Sequence, residues 1–254
     1  MTISHKVAHA VQYIQALELP EFDSANLATA STPLRVAQGE DAGAAVAAGS
    51  LVSFVSGLTE QHKNDVLNST LLAQLAASKA YDRFKQTKLW YDKYVEVLAQ
   101  VGWVVPAFAF RDYRPSGTSL VLSDAVLEIL SAIATGDEMK ILRAALTSLR
   151  EDPKNEGPLH LFDSQSFPDN IGTFQIMPVG EDDGQVVMAL AAMDFKSTKH
   201  VTRFLWFSWT SSSVKLVQSA QKCVLNEHIY GRVRQQVIDK LAGRASEYIK
   251  DIEI

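Results

Sequence analysis

One cysteine, Cys223, stands in a chain of 254 residues. No intrachain disulfide can form, and no multi-cysteine metal site can be built. Neither sign of charge dominates. The 24 Lys and Arg against 29 Asp and Glu leave a net charge of -5, which makes no electrostatic case for a nucleic-acid partner. The N-terminal residues Met1 to Lys6 lack the basic-then-apolar layout of a secretory signal. The expectation is a soluble protein made in the cytoplasm; if it is released toward a host, it leaves by another route. A long hydrophobic run is also missing. The nearest approach is Ala42 to Thr59, which carries no charge and comes close to the ~20 residues of a membrane span. Gly43, Gly49, Gly57 and the serines and threonine between them dilute it. It is expected to be a small-residue helix packed closely on a sheet. There is no Gly-x-Ser-x-Gly elbow, no phosphate loop and no His-Glu-x-x-His pattern. Local motifs name no catalytic chemistry, and an enzyme is not expected.

What the chain does have is a run of strand patterns from Thr173 to Leu225. Asp183-Gly184 between two apolar stretches signals a hairpin, because such a turn needs positive φ. Strands are predicted at about 173–180, 185–196, 201–210 and 213–225. The second is apolar on both parities: Val187, Ala189, Ala191 and Met193 on one, Val186, Met188 and Leu190 on the other. A strand of that kind is buried on both faces, so helices should cover each side. The third carries Phe204 and Trp206 opposite Leu205, Phe207 and Trp209. The fourth is interrupted by Lys215, Gln218, Gln221 and Lys222, as suits a strand nearer an edge or one carrying a bulge. Short connections make the four an antiparallel meander.

The residues up to about 150 read as mostly helical. Ser4–Leu19, Glu60–Ala80 and Lys85–Val101 have helical spacing, and Leu34-Arg35-Val36 could form a short strand. Trp103–Arg111 alternates as a strand that Pro106 confines to an edge, with Ser119–Leu122 as its expected partner. Two helices then form a hairpin around Gly136. The first carries Val126, Ile129, Leu130 and Ile133, the second Leu142 and Leu146. Glu151–Pro158 reads as a loop, and Asn226 should cap one last helix running to about residue 252. The expected architecture is a single α/β domain over residues 1–254. It has a helix-rich part at 1–150, a sheet core at 171–225 and a C-terminal helix at 226–252. The sheet should hold four to six antiparallel strands wrapped by amphipathic helices.

Few residues stand out as sites. His5 and His9 share a helix face at i, i+4, but no third ligand is evident and no metal is expected. His160 lies in an apolar run, where a histidine is more often a packing residue. Glu181, Asp182 and Asp183 sit at a hairpin tip, where charge is normally solvated. Cys223 has two readings. A free cysteine usually behaves as a small buried hydrophobe. Alternatively its thiol could be acylated or act as a nucleophile, though an unactivated thiol near pKa ~8.5 attacks poorly.

The segment from Phe174 to Leu225 resembles the Cyt-type cytolytic toxins. A charged turn (Glu181 to Gly184), a small-apolar strand (Val186 to Phe195), an aromatic strand (Phe204 to Trp209) and a serine-started strand (Ser212 to Leu216) follow in the same order. The chain is also similar to Evf-type virulence factors, which carry a thioester-linked palmitate on a cysteine. The resemblance implies a membrane-active toxin or virulence protein that binds lipid bilayers and self-assembles on them. It implies no cofactor beyond a covalent palmitate, which would fall on Cys223. It also implies membrane-engaging side chains at Val126, Ile129, Leu130, Ile133, Leu142, Leu146, Phe204, Trp206 and Trp209. Two alternatives remain open at this point: a non-lytic protein carrying an acyl chain on Cys223, and a cysteine-dependent acyl-transfer enzyme.

Overall fold

The Asp183-Gly184 pair turns the chain as its sequence predicts, with φ of 49° and 73° at the two residues. The structure, a computed structural model, describes residues 3–21, 39–115, 117–198 and 200–254. The turn joins β6 (Ile171–Asp182) to β7 (Gln185–Ser197), and β7 pairs in turn with β9 (Val214–Leu225). These three long antiparallel strands match the first, second and fourth of the four expected. The short strand expected at Leu34 to Val36 lies outside the described residues.

Two corrections concern the sheet. The run from Ala42 to Thr59 is not a helix but a hairpin, β1 (Gly43–Ala47) and β2 (Ser50–Phe54). Alanine, valine, leucine and serine fill both parities, because both faces of these strands are covered and no helical period is imposed. The turn places Ala48 at φ 49°, and a side chain at Gly49 would occupy the space of the Arg83 guanidinium. The third expected strand is the second correction. Phe204–Trp206 forms a 3-10 turn. Only Ser208–Thr210 is extended, as β8, and it pairs with β5 (Ser119–Val121) away from the main sheet. Phe204 and Leu205 are fully buried there against the sheet, and Trp206 and Phe207 are partly exposed. β5 therefore does not pair with the Trp103–Arg111 stretch. That stretch supplies β3 (Trp103–Val104) and β4 (Arg111–Asp112), both on the outer edge of β9.

Among the described residues the resulting sheet has eight strands in the order β10 (Ile249–Ile252), β1, β2, β6, β7, β9, β3, with β4 also on β9. The pairing of β2 with β6 is parallel and the other pairs are antiparallel. The edge strand β10 (Ile249–Ile252) comes from the region expected as one long C-terminal helix. That helix, α7 (Glu227–Leu241), stops where Ala242 and Gly243 take left-handed φ of 48° and 85°; a short α8 (Arg244–Tyr248) and β10 follow.

Helices cover both faces, giving three layers. On one face lie α1 (Ile3–Ala16), α2 (Glu60–Ala80), α3 (Thr87–Val101) and α7, packed on Val52, Met177, Met188, Leu190 and Leu225. On the other lie α4 (Leu122–Ser131), α5 (Gly136–Glu151) and α6 (Glu156–Ser166), packed on Val46, Phe174, Ile176, Met193 and Phe195. The Thr135–Glu138 capping box starts α5. The expected loop Glu151–Pro158 instead holds a 3-10 turn (Pro153–Asn155) and the first turn of α6. Its sequence shows little helical stripe, and Asp152 starts the bend into it by accepting from the Lys154 backbone N–H at 2.9 Å.

Candidate functional site

All nine side chains expected to meet a membrane belong to one core, the one beneath α4, α5 and α6. Val126, Leu130, Leu142, Leu146, Phe204 and Trp209 are buried in it, and Ile129, Ile133 and Trp206 pack on its margin, partly exposed. The sheet supplies its floor and the segment around Phe204 its plug. Phe204 stands 5.3 Å from Phe174, 5.5 Å from Phe195 and 5.7 Å from Phe162, ring centre to ring centre. Trp209 closes the cluster at 6.2 Å from Phe195. Such aromatic pairs add stabilisation beyond their buried area.

Ser123, Glu138, Asn155 and Ser166 of this layer are buried, and its other polar attachments lie at its margin. Arg203, at a left-handed φ of 53°, ties the aromatic segment to the helices. Its backbone N–H donates to Asp163 Oδ2 at 2.7 Å, and its guanidinium reaches Arg150 O and Glu156 Oε2, both at 2.9 Å. Burial raises the Asp163 carboxyl above the usual range, and the Arg203 N–H opposes this. Tyr113 Oη donates to Glu128 Oε2 of α4 at 2.6 Å. Burial, helped by that carboxylate, pushes the Tyr113 phenol up to about 12.

The opposite face is joined differently. A buried polar network runs from α2 and α3 into the sheet. Arg83, at 8% exposure, donates to Gln175 Oε1 at 2.9 Å and stacks over Trp90 at 4.5 Å. Gln175 donates to Tyr91 Oη at 2.8 Å and accepts from Ser50 Oγ at 2.9 Å. Gln74 pairs with the hairpin backbone, accepting from Gly49 N at 3.2 Å and donating to Ala47 O at 3.0 Å. Burial lowers the Arg83 pKa and raises that of Tyr91. Farther along, Asp65 accepts a bidentate pair from Arg234 at 2.8 and 2.7 Å. Burial raises the Asp65 carboxyl and Arg234 pulls it back. None of these residues was picked out from sequence. The available signal was a glutamine set in a short apolar stretch, Gln74 between Ala73 and Leu75 and Gln175 between Phe174 and Ile176.

Cys223 lies on this second face. It is fully buried opposite Met188 across the β7–β9 pair, away from the nine lipid candidates. Burial pushes its thiol up to about 12. His160 is exposed on α6, and Asp182 and Asp183 are exposed at their hairpin tip. His5 and His9 are exposed on α1. Among the described residues no group of three metal-ligating side chains is brought together. Two clefts of about 620 and 420 Å3 open at one end of the sheet and meet at Val104 and Asn226; His62 and His228 line the larger, His9 the smaller, and Cys223 neither.

No family model matches the chain, and no curated protein matches it. Among solved structures, that of the Evf virulence factor is similar over 93% of this chain and 89% of its own, with 11% identity and a TM-score of 0.38. A likeness at that score carries no argument about fold or function.

Proposed function

We propose that this protein is membrane-active, of the toxin or virulence kind, and that the layer of α4, α5 and α6 is the part that leaves the sheet to meet a lipid bilayer. The observation that carries this reading is the contrast between the two layers. The α4–α6 layer rests on the sheet face through apolar side chains, and its polar attachments, the Arg203 and Tyr113 bonds and the buried Asn155 amide on the Glu253 backbone, lie at its margins. The α2–α3 layer is tied to the sheet by buried hydrogen bonds through Arg83, Gln74 and Gln175. Apolar contact is non-directional, and acyl chains can replace it. A buried hydrogen bond has no replacement in hydrocarbon, so breaking it costs the full desolvation of its groups. Lipid therefore competes more readily for the layer whose contact with the sheet face is apolar than for the one bonded into it. Among the described residues no helix is long and apolar enough to cross a membrane. In this reading α4 and α5 lie on the bilayer surface with Val126, Leu130, Leu142 and Leu146 toward the acyl chains. Any strand that enters the bilayer must pair its backbone groups, so copies self-assemble there.

The alternatives that rest on Cys223 gain no support from its surroundings. Cys223 is fully buried and burial raises its pKa, so a reacting partner reaches the sulfur only through local opening. The test is dye release from vesicles of equimolar phosphatidylcholine and phosphatidylglycerol, with an intact mass taken alongside. The account predicts vesicle binding and leakage by protein of unmodified mass. Absence of both binding and leakage would overturn it.

A further inference from the structure

The densest polar attachment of the α4–α6 layer is at the corner where α5 ends and α6 begins. Asn155 closes the 3-10 turn there and is 1% exposed. Its side-chain amide meets the backbone of Glu253 twice: Oδ1 accepts from Glu253 N at 3.0 Å, and Nδ2 donates to Glu253 O at 3.1 Å. Nδ2 also reaches Ser148 Oγ at 3.0 Å, and Ser148 Oγ donates to the same Glu253 carbonyl. On the outside, Lys154 Nζ lies 2.7 Å from Glu253 Oε2. Glu253 directly follows the edge strand β10. The side chain of Asn155 thus pairs with a backbone N–H and a backbone C=O, as a neighbouring strand would.

We propose that this contact is a clasp: Asn155 holds the α5–α6 corner to the sheet edge through Glu253, and its release is the step that frees the layer. The proposal rests on the reading that this layer leaves the sheet for lipid. Apolar contacts across the layer can be exchanged gradually for acyl chains, but the Asn155 amide finds no partner in hydrocarbon. Its bonds must break before the corner lifts. The Lys154–Glu253 ion pair is exposed and contributes little beside it. The Tyr113–Glu128 bond fastens α4 near the opposite sheet edge and is also exposed.

The experiment compares the parent, Asn155→Ala and Ser148→Ala by amide hydrogen exchange in buffer and by dye release from the same phosphatidylcholine and phosphatidylglycerol vesicles. In Asn155→Ala, exchange over residues 136–166 should accelerate about tenfold or more while residues 60–80 keep their protection, because a local opening is made easier without lowering the barrier elsewhere. Dye release should quicken in step. Ser148→Ala should show the same local pattern at smaller size, and it decides the matter alone if Asn155→Ala does not fold. Exchange that accelerates equally in both layers, or that stays unchanged, would overturn the clasp. Local acceleration with no dye release from any protein would keep the clasp and overturn the lipid reading. Dye release at one rate with unchanged exchange would do the reverse.

Discussion

Burial acts on Cys223 and Asp194 in the same direction, and both effects can be measured. Cys223 is a protonated thiol in the packed core. It should resist a thiol reagent in the native protein and react fully once denaturant unfolds the chain; rapid reaction in native buffer would mean that β9 is not packed as described. Asp194 on β7 is half-buried, and burial raises its carboxyl above the usual carboxylate range, against hydrogen bonds from Thr173 at 3.0 Å and Thr87 at 3.4 Å. A raised folded-state pKa means that the native state binds more protons than the unfolded one. Stability from this group is therefore complete below the unfolded pKa and is lost as pH rises through the folded value. Asp194→Asn keeps the accepting oxygen and removes the charge. It should melt higher than the parent at pH 7, with the difference closing toward pH 3.8. A difference that does not vary with pH would contradict this.

At the scale of elements, β7 is the centre of the molecule. Leu190 is fully buried, and Val187 is 3% exposed. Leu190→Asp should abolish cooperative folding, since an unpaired buried carboxylate costs several kcal/mol against a total of roughly 5–15 kcal/mol. Asp182→Ala removes only the exposed pair with Lys222 at 3.5 Å and should shift stability by less than ~1 kcal/mol. Thermal melts of both variants check the contrast. β6, β7 and β9 were legible in the sequence because apolar residues on both parities and an Asp-Gly turn mark strands directly. So were α2, α4 and α5, through their helical stripes. The β1–β2 hairpin was not legible. Small residues on every position carry neither period, and only the closing of β10 on β1 and of β6 on β2 decides for strand. The Phe204 segment misled because aromatic residues favour strands, while here three-dimensional packing of rings won over pairing. α6 was hidden for the opposite reason, since its weak stripe is stabilised by tertiary contact rather than by its own pattern.

At the scale of the whole molecule, the candidate site could be named in part from sequence alone. The apolar residues of α4 and α5 and the aromatic residues near Phe204 were recognisable one by one, and the structure brings them into one core. The contrast with the other layer was not recognisable, because it depends on Gln74, Arg83 and Gln175 meeting from two separate elements and a distant strand. Neither could a reader of the sequence see that Cys223 would face away from that core. The two layers should respond differently to lipid. The most direct measurement is amide hydrogen exchange of the parent protein with and without vesicles of equimolar phosphatidylcholine and phosphatidylglycerol. The account predicts that vesicles change the protection of residues 122–166 while residues 60–101 keep theirs. Equal change in both layers, or change confined to residues 60–101, would contradict it.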